Sequence, residues 1–550
     1  MPDNKGTIRI ESILGGHSPT THFASKDQFG GSIGIDPSLP FDYTSYERGA
    51  SGLIRPSVSN AVGGSTIANA PLWIRSNPKD GTVFVYDAGG SVYTYNGSVI
   101  DDLADLNDEG SSHGNGMAYY DNYIYFATDT NVARYGPLNG TPTFTDSYWV
   151  STLSKTRLTN PVYPNDFWTG VDYPNHILHR HSDGKLYIAD VVDNKGTIHY
   201  IATTKSSVEG DTDNGSTYNK VQVGYGLWPT AVESYGSDLA IAFFENDGDF
   251  SSEGQLRAKL AFWDTTSTNV NKITWVEFPD PIVSALKNIN GVLYAFSGTP
   301  GAYGTRLTRF VGGYTFEEVG YYENFQTPYQ GGTSGESQRL LFGTVMRDDI
   351  ALQARGQAEG VVASYGLQKS GLSNGTFVIL GAPATNVAVT AIWNDNNTYY
   401  MKANIPYIGY DGDNISGFAV PHERFESGTT YGDSAAIWWS QIYRIGQPFK
   451  ITKIRIPVAK AIASGMTVNI KVYTDEGSYT GGQSYVGNVS TLTAIDNSTD
   501  SGKLNIVRRS DSSGNPIVGQ HCFWLELRWT GTDLCTVALP ITIEYELIDD

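Results

Sequence analysis

His176, His179 and His181 form the pattern H-x-x-H-x-H. Imidazole is the commonest ligand of transition metals, so the pattern raises the question of a metal site. On a strand His179 and His181 share one face while His176 points the other way, and spacing locates no fourth ligand. The competing reading is ordinary surface histidines. Three acidic loops, EGDTDNG (Glu209 to Gly215), ENDGD (Glu245 to Asp249) and DGDN (Asp411 to Asn414), could offer hard oxygen ligands to calcium. None carries the spacing of a calcium loop with its distant glutamate, and Asp and Gly are what turns use. Trp438, Trp439, Tyr443 and the loop around Tyr479 and Tyr485 could stack on sugar rings, or equally be core.

The elements that would position these residues are written repeatedly. Between Pro71 and about Gly409 one pattern recurs seven times: PLWIRSNPKDGTVFVYD, NGMAYYDNYIYFATD, HILHRHSDGKLYIAD, PTAVESYGSDLAIAFFE, IVSALKNINGVLYAFSG, LLFGTVMRDDIALQAR and VTAIWNDNNTYYMKAN. Each pivots on residues that accept hairpin turns: Lys79-Asp80-Gly81, Asp121-Asn122, Ser182-Asp183-Gly184, Gly236-Ser237-Asp238, Asn290-Gly291, Asp348-Asp349 and Asn394 to Asn397. A third, aromatic-bearing strand follows each hairpin. Strand-only units at this spacing predict a β-propeller, with seven blades. Val83 and Val85 alternate with Phe84 and Tyr86, and Tyr123 and Tyr125 with Ile124 and Phe126, so both faces of a blade are apolar, as packing between two neighbours requires. Insertions at Pro137 to Asn175, Thr203 to Leu227 and Asn246 to Leu256 are expected as loops on one face.

From about residue 421 the strands lengthen and alternate cleanly: ITKIRIPVAK, MTVNIKVYTD, GKLNIVRRSD, HCFWLELRWT and TVALPITIEYELID. They predict an antiparallel β-sandwich or jelly roll. In HCFWLELRW, Phe523, Leu525, Leu527 and Trp529 form a core face, and Cys522, Trp524, Glu526 and Arg528 a wet one. Cys522 and Cys535 would sit out of register in a hairpin around Thr530 to Asp533, which predicts two unpaired thiols. The expected organisation is an extended N-terminal arm over 1–65, a propeller over 66–420 and a sandwich over 421–550. The strand Thr7 to Ile13 is expected to close the ring by pairing with the last blade.

A net charge of −20 argues against nucleic acid as ligand, because phosphate binding needs clustered Lys and Arg. No apolar run is long enough to span a bilayer, and the opening MPDNKGTIRI lacks a secretory leader. Propeller glycosidases need two or three carboxylates at fixed separation, and sequence brings no such pair together. The S-x-D-x-G-x-[TS]-W box is missing, Arg455-Ile456-Pro457 lies in the C-terminal region, and no G-x-S-x-G, Walker loop or H-E-x-x-H occurs. No catalytic, cofactor-binding or metal-ligating residue is therefore assigned, and no cofactor is expected.

The opening GTIRIESILGGHSPTTHFASKDQFGGSIGIDPSLP, the degenerate propeller, and the segment WWSQIYRIGQPFKITKIRIPV give the chain a layout that resembles tail and tail-tip virion proteins of tailed bacteriophages. The resemblance is one of layout and assigns no residue a role. It implies a structural protein assembled into a virion from the host cytoplasm, with other virion proteins and copies of itself as partners and a host-surface glycan as a further one. The alternatives are a carbohydrate-active propeller enzyme with an appended sugar-binding sandwich, or an interaction scaffold.

Overall fold

A computed structural model describes residues 4–13, 16–17, 27–33, 58–59, 63–64, 67–87, 89–95, 99–105, 116–127, 132–149, 177–192, 195–201, 221–245, 257–267, 270–289, 291–298, 303–312, 315–326, 344–347, 350–354, 362–366, 377–381, 387–393, 407–412, 415–421, 436–458, 462, 464–475, 488–531 and 537–548. Almost all of its regular structure is strand. The chain divides into two compact units, residues 60–361 with 386–420, and residues 1–59 with 362–385 and 421–550.

The repeats form a β-propeller. Seven sheets follow one another along the chain, six with four antiparallel strands in sequence order, the first of these with Gly63–Gly64 added in parallel at its edge, and the seventh with three, beginning at Pro71–Ser76, Gly116–Tyr120, Ile177–Arg180, Leu227–Tyr235, Ile282–Ile289, Thr344–Arg347 and Val387–Trp393. These first strands touch in succession, and the seventh returns to the first, so the ring is closed. In the first hairpin of blade two, Tyr120 pairs with Tyr123 and the turn residues Asp121 and Asn122 both have positive φ (44° and 65°). That is the two-residue turn whose twist matches the strands it joins. Asp348-Asp349 and Asn394 to Asn397 lie outside the described residues.

The alternation seen in the sequence decides which neighbour each side chain meets. Phe84 and Tyr86 pack with Ile124 and Phe126 between blades one and two, and the Tyr86 hydroxyl donates to the Ala127 carbonyl (3.0 Å). Tyr123 and Tyr125 face Leu186 and Ile188 of blade three. Val83 and Val85 turn the other way, onto Tyr407 and Ala391 of blade seven. At this closing seam the Trp393 indole N–H donates to Ser76 Oγ (3.0 Å), and the Arg75 guanidinium lies 4.3 Å from the Trp393 ring centre. A Cβ on Gly409 would stand 2.7 Å from Pro71 Cβ, so the second strand of blade seven needs glycine where it meets blade one.

A feature not anticipated from sequence recurs on the inner hairpins. The register slips by one residue between the first two strands of blades one, four, five, six and seven, skipping Leu72, Thr230, Ser284, Met346 and Thr390. Such bulges sharpen strand twist. Thr230 is fully buried, and its hydroxyl donates to the Val283 carbonyl of blade five (2.9 Å), a carbonyl at that blade's own bulge. Thr230→Val keeps the shape and deletes the donor. We expect it to lower stability by about 1–2 kcal/mol in a denaturant titration, the cost of leaving a buried carbonyl unpaired.

Three sequence expectations are corrected. The N-terminal strand does not close the ring: Lys5–Ile10 pairs antiparallel with Ile541–Leu547, Ile8 opposite Ile543. Its alternation supplies an apolar face that fits the sandwich core, where Ile10 and Ile13 are buried. In the seventh sheet the fourth position is taken by Val58–Ser59. Parts of the supposed insertions are outer blade strands, Thr143–Trp149 in blade two and Val221–Tyr225 in blade three. The expected hairpin around Thr530 to Asp533 is also not formed. Cys522–Gly531 lies between Met466–Thr474 and Ala436–Trp439, and Val537 bridges to Val458 in the other sheet. Cys522 is a free thiol, and Cys535 lies outside the described residues.

The sandwich is built as its alternation predicts. One sheet orders Lys5–Ile10, Ile541–Leu547, Phe449–Pro457 and Asn505–Arg508, with Ile517–Gly519 also on Phe449–Pro457. The other, six-stranded, orders Asn488–Asp496, Met466–Thr474, Cys522–Gly531, Ala436–Trp439 and Gly31–Ile33, with Tyr443–Arg444 also on Cys522–Gly531. Met466, Val468, Ile470, Val472, Phe523, Leu525, Leu527 and Trp529 are buried, and Phe449 of the first sheet meets Phe523 of the second (5.6 Å between ring centres).

Candidate functional site

The first strands of blades three, four and five bring together the described part of the histidine motif. His179 is the penultimate residue of the strand Ile177–Arg180 and His181 begins the turn after it, two residues apart and therefore on one side. Both reach Ser234 of the next blade: His179 Nε2 and His181 Nδ1 each lie 2.9 Å from Ser234 Oγ. His181 Nε2 lies 3.0 Å from the Ser237 carbonyl. His176 lies outside the described residues.

The protons of this chain follow from donor and acceptor chemistry. A carbonyl only accepts, so His181 Nε2 carries the hydrogen and its Nδ1 accepts from the Ser234 hydroxyl. Ser234 Oγ in turn accepts from His179 Nε2–H. His181 thus has both ring nitrogens engaged in this relay, and His179 its Nε2. Among the described residues, no three His, Cys, Asp or Glu stand close enough to hold a metal ion.

Beside the relay lies a buried ion cluster. Glu233, 8% exposed, accepts the Ser234 backbone N–H through Oε1 (2.9 Å) and pairs with Lys287 Nζ through Oε2 (3.4 Å). His179 Nε2 is 3.9 Å from Glu233 Oε1. Asn288 Nδ2 donates to the Ser234 carbonyl (2.8 Å), which ties blade five to the same strand. Arg75 of blade one feels the Glu233 charge, although burial outweighs that attraction and draws its guanidinium down to about 10. Lys287 and His179 hold the Glu233 carboxyl below its ordinary value against the burial that would raise it.

Burial dominates His179, lowering it to about 4, with Glu233 opposing. The folded protein then refuses a proton that the unfolded chain accepts near pH 6.5. Stability from this group is complete above pH 6.5 and falls as the pH drops toward 4, by about 3 kcal/mol over the full window. We expect His179→Gln to flatten the stability profile between pH 6.5 and 4.5, measured by denaturant midpoints. The window is clean at its upper end, because Glu233 loses its own contribution only below its unfolded value near 4.5.

The arrangement is a satisfied polar plug. Ser234 sits at hydrogen-bonding distance from an imidazole, as an activated nucleophile does, and its hydroxyl is held between two rings, accepting from one and donating to the other. The cluster's ion pairs converge on Glu233. A glycosidase needs a second carboxylate about 5–9.5 Å away with its protonation tuned apart, and the groups that tune Glu233 are basic: Lys287 and His179.

Of the aromatic candidates in the sandwich, Trp438 is core, fully buried, while Trp439 faces outward. Tyr443 packs on Phe523 (5.4 Å) and burial drives its hydroxyl well above the usual phenol range. Tyr479 and Tyr485 lie outside the described residues, as do most of the acidic loops. Sequence reasoning missed Ser234, Lys287 and Arg75, since nothing in their spacing relates them to the histidines. Packing of consecutive blades brings Ser234 and Lys287 to the cluster, and closure of the ring brings Arg75 within reach of the Glu233 charge.

No family model matches the chain, and no curated protein matches it. Solved structures similar to it include the computationally designed Ika8 protein, 12% identical over 66% of this chain and 100% of that one, with a TM-score of 0.36. YCF48 bound to D1 peptide is 10% identical over 66% and 98% of the two chains, TM-score 0.38. The Cps50 (Swd1) β-propeller domain of Myceliophteria thermophila is 9% identical over 66% and 99%, TM-score 0.39. The propeller is read here from the chain's own sheet order.

Proposed function

We propose that the protein works by contact, as a structural component of a tailed-phage virion, in the tail or tail tip, acting in assembly, host-surface attachment or both. The observation that supports contact over turnover is the cluster on the first strands of blades three, four and five, where His179, Ser234, His181, Glu233 and Lys287 engage one another. Catalysis asks for the opposite, groups held ready for a reacting atom. The assignment to a virion rests on the sequence layout. Weak contacts made by many copies on one particle gain strongly in avidity, which suits a rigid blade ring and a sandwich as presenting surfaces. The partners are other virion proteins, further copies of this chain and a surface glycan.

Antibodies raised against the whole chain test this on intact particles. Labelling confined to a tail or tail tip, with adsorption to cells blocked by the bound antibody, is the expected result. Unlabelled particles with the protein left in the soluble lysate would contradict it. A carbohydrate-active enzyme, the alternative, would release reducing ends from host polysaccharide in proportion to protein and lose that activity in Glu233→Gln.

A further inference from the structure

The outward face of the six-stranded sandwich sheet carries a group of side chains that core packing does not require. Tyr473 and Trp524 sit opposite each other on neighbouring strands, their rings parallel within 3° and 5.1 Å apart at the centres. Trp439 and Lys471 flank Glu526 from the strands on either side. Strand alternation places Glu526 on the wet face, yet it is only 3% exposed. Its Oε2 accepts from the Tyr473 hydroxyl (2.6 Å) and from the Trp439 indole N–H (3.1 Å). The carboxylate thereby fixes two rings in place. Its other oxygen, Oε1, makes no hydrogen bond and lies 3.6 Å from both Lys471 Nζ and Arg528 Nε.

Two cations share this one carboxylate, so positive charge is in local excess around Glu526 on a chain whose net charge is −20. The carboxylate is buried, whereas the side chains of Lys471 and Arg528 stay 33% and 42% exposed. Exposed cations beside ordered rings are what a ligand with an apolar ring face and a carboxylate requires. A purely apolar partner would leave the cations desolvated and unpaired. An acidic sugar supplies C–H faces for the rings, hydroxyls for polar contacts and a carboxylate for the cations.

We propose that this face, centred on Trp439, Trp524, Tyr473, Lys471 and Arg528 and organised by Glu526, binds a carboxylate-bearing sugar of a surface polysaccharide. The attachment role depends on the virion reading given above; the binding itself does not. Calorimetric titration of the full-length chain with three acidic trimers (galacturonate, mannuronate and sialate), with methyl-esterified trigalacturonate and with maltotriose tests it. At least one acidic trimer is expected to bind saturably at one per chain. Its affinity is expected to fall tenfold or more for Lys471→Gln, and binding is expected to weaken as salt rises. If galacturonate binds, its ester is expected to be at least tenfold weaker. Trp524→Ala, with its melting checked separately, is expected to abolish the signal. Failure of all three acids at millimolar concentration overturns the proposal, as does acid binding that Lys471→Gln leaves unchanged. Self-association of the chain that Trp524→Ala abolishes also overturns it, by giving the face to a second copy. A chain that binds acidic sugar but is missing from particles defeats the virion reading alone.

Discussion

Tyr407→Ala is expected to cost about 3–5 kcal/mol, the range for removing a large buried aromatic side chain. Tyr407 is fully buried at the junction of the last blade with the first, among Ile74, Val83, Val85 and Tyr93, with its ring 6.3 Å from that of Tyr95. The effect should also have a place. A ring opened at one seam becomes a linear array of blades, in which each unit is held only by its neighbours. Hydrogen exchange in Val387–Trp393 and Pro71–Ser76 should therefore accelerate together, while Leu227–Tyr235 on the far side keeps its protection. Tyr407→Phe retains the ring, and its cost should stay below about 1.5 kcal/mol. Uniform loss of protection around the ring in Tyr407→Ala would argue against a seam at this point.

In the sandwich the largest effect is expected at Asp500, which is 1% exposed. Its Oδ2 receives Arg508 Nη2 at 2.5 Å, and Lys503 Nζ stands 3.2 Å from Oδ1. Arg508 also donates to the carbonyls of Thr493 and Ala494 (both 2.8 Å), so one guanidinium of the first sheet closes off an edge of the second. Asp500→Asn strands that cation in a site only 12% exposed, and we expect a loss of about 3–5 kcal/mol in a thermal or denaturant melt. Arg508 and Lys503 hold the Asp500 carboxyl below its ordinary value against burial. Its stabilisation is thus present above the unfolded carboxylate value near 3.9 and is lost as the pH falls through the lower folded one. The variant should accordingly show a weaker acid transition below pH 4. The double change Asp500→Leu with Arg508→Met should cost less than Asp500→Asn alone, because it leaves no buried charge unpaired. An additive result would mean that the pair is not acting as a unit.

Local rules carried the blades and failed where the chain must choose a distant partner. Asp121-Asn122 announces its turn through residue types that tolerate positive φ, and the alternation of Val83 to Tyr86 announces two buried faces. The strand at Lys5–Ile10 was equally visible, but alternation says only that one face is apolar, not which sheet it completes. Glu526 marks a second limit. Parity places it on the outward face correctly, while its burial comes from Trp439 and Tyr473 on neighbouring strands. The triplets Pro229-Thr230-Ala231, Val283-Ser284-Ala285 and Val389-Thr390-Ala391 stand at matching places in three repeats and coincide with the inner bulges. Their similarity was legible and the extra residue was not, since a register slip exists only between two strands. The spacing of His179 and His181 raises the question of metal chemistry, whereas the hydroxyl of Ser234, some 55 residues away, is what engages them.

The most direct test of the proposed virion role is the amount of this chain in density-purified phage particles, counted by mass spectrometry against isotope-labelled peptides and referred to the major capsid protein. A small, fixed number of copies per particle is expected, surviving high-salt washing and unchanged between preparations. A copy number that falls toward zero on washing, with the protein recovered free in the lysate, would contradict it.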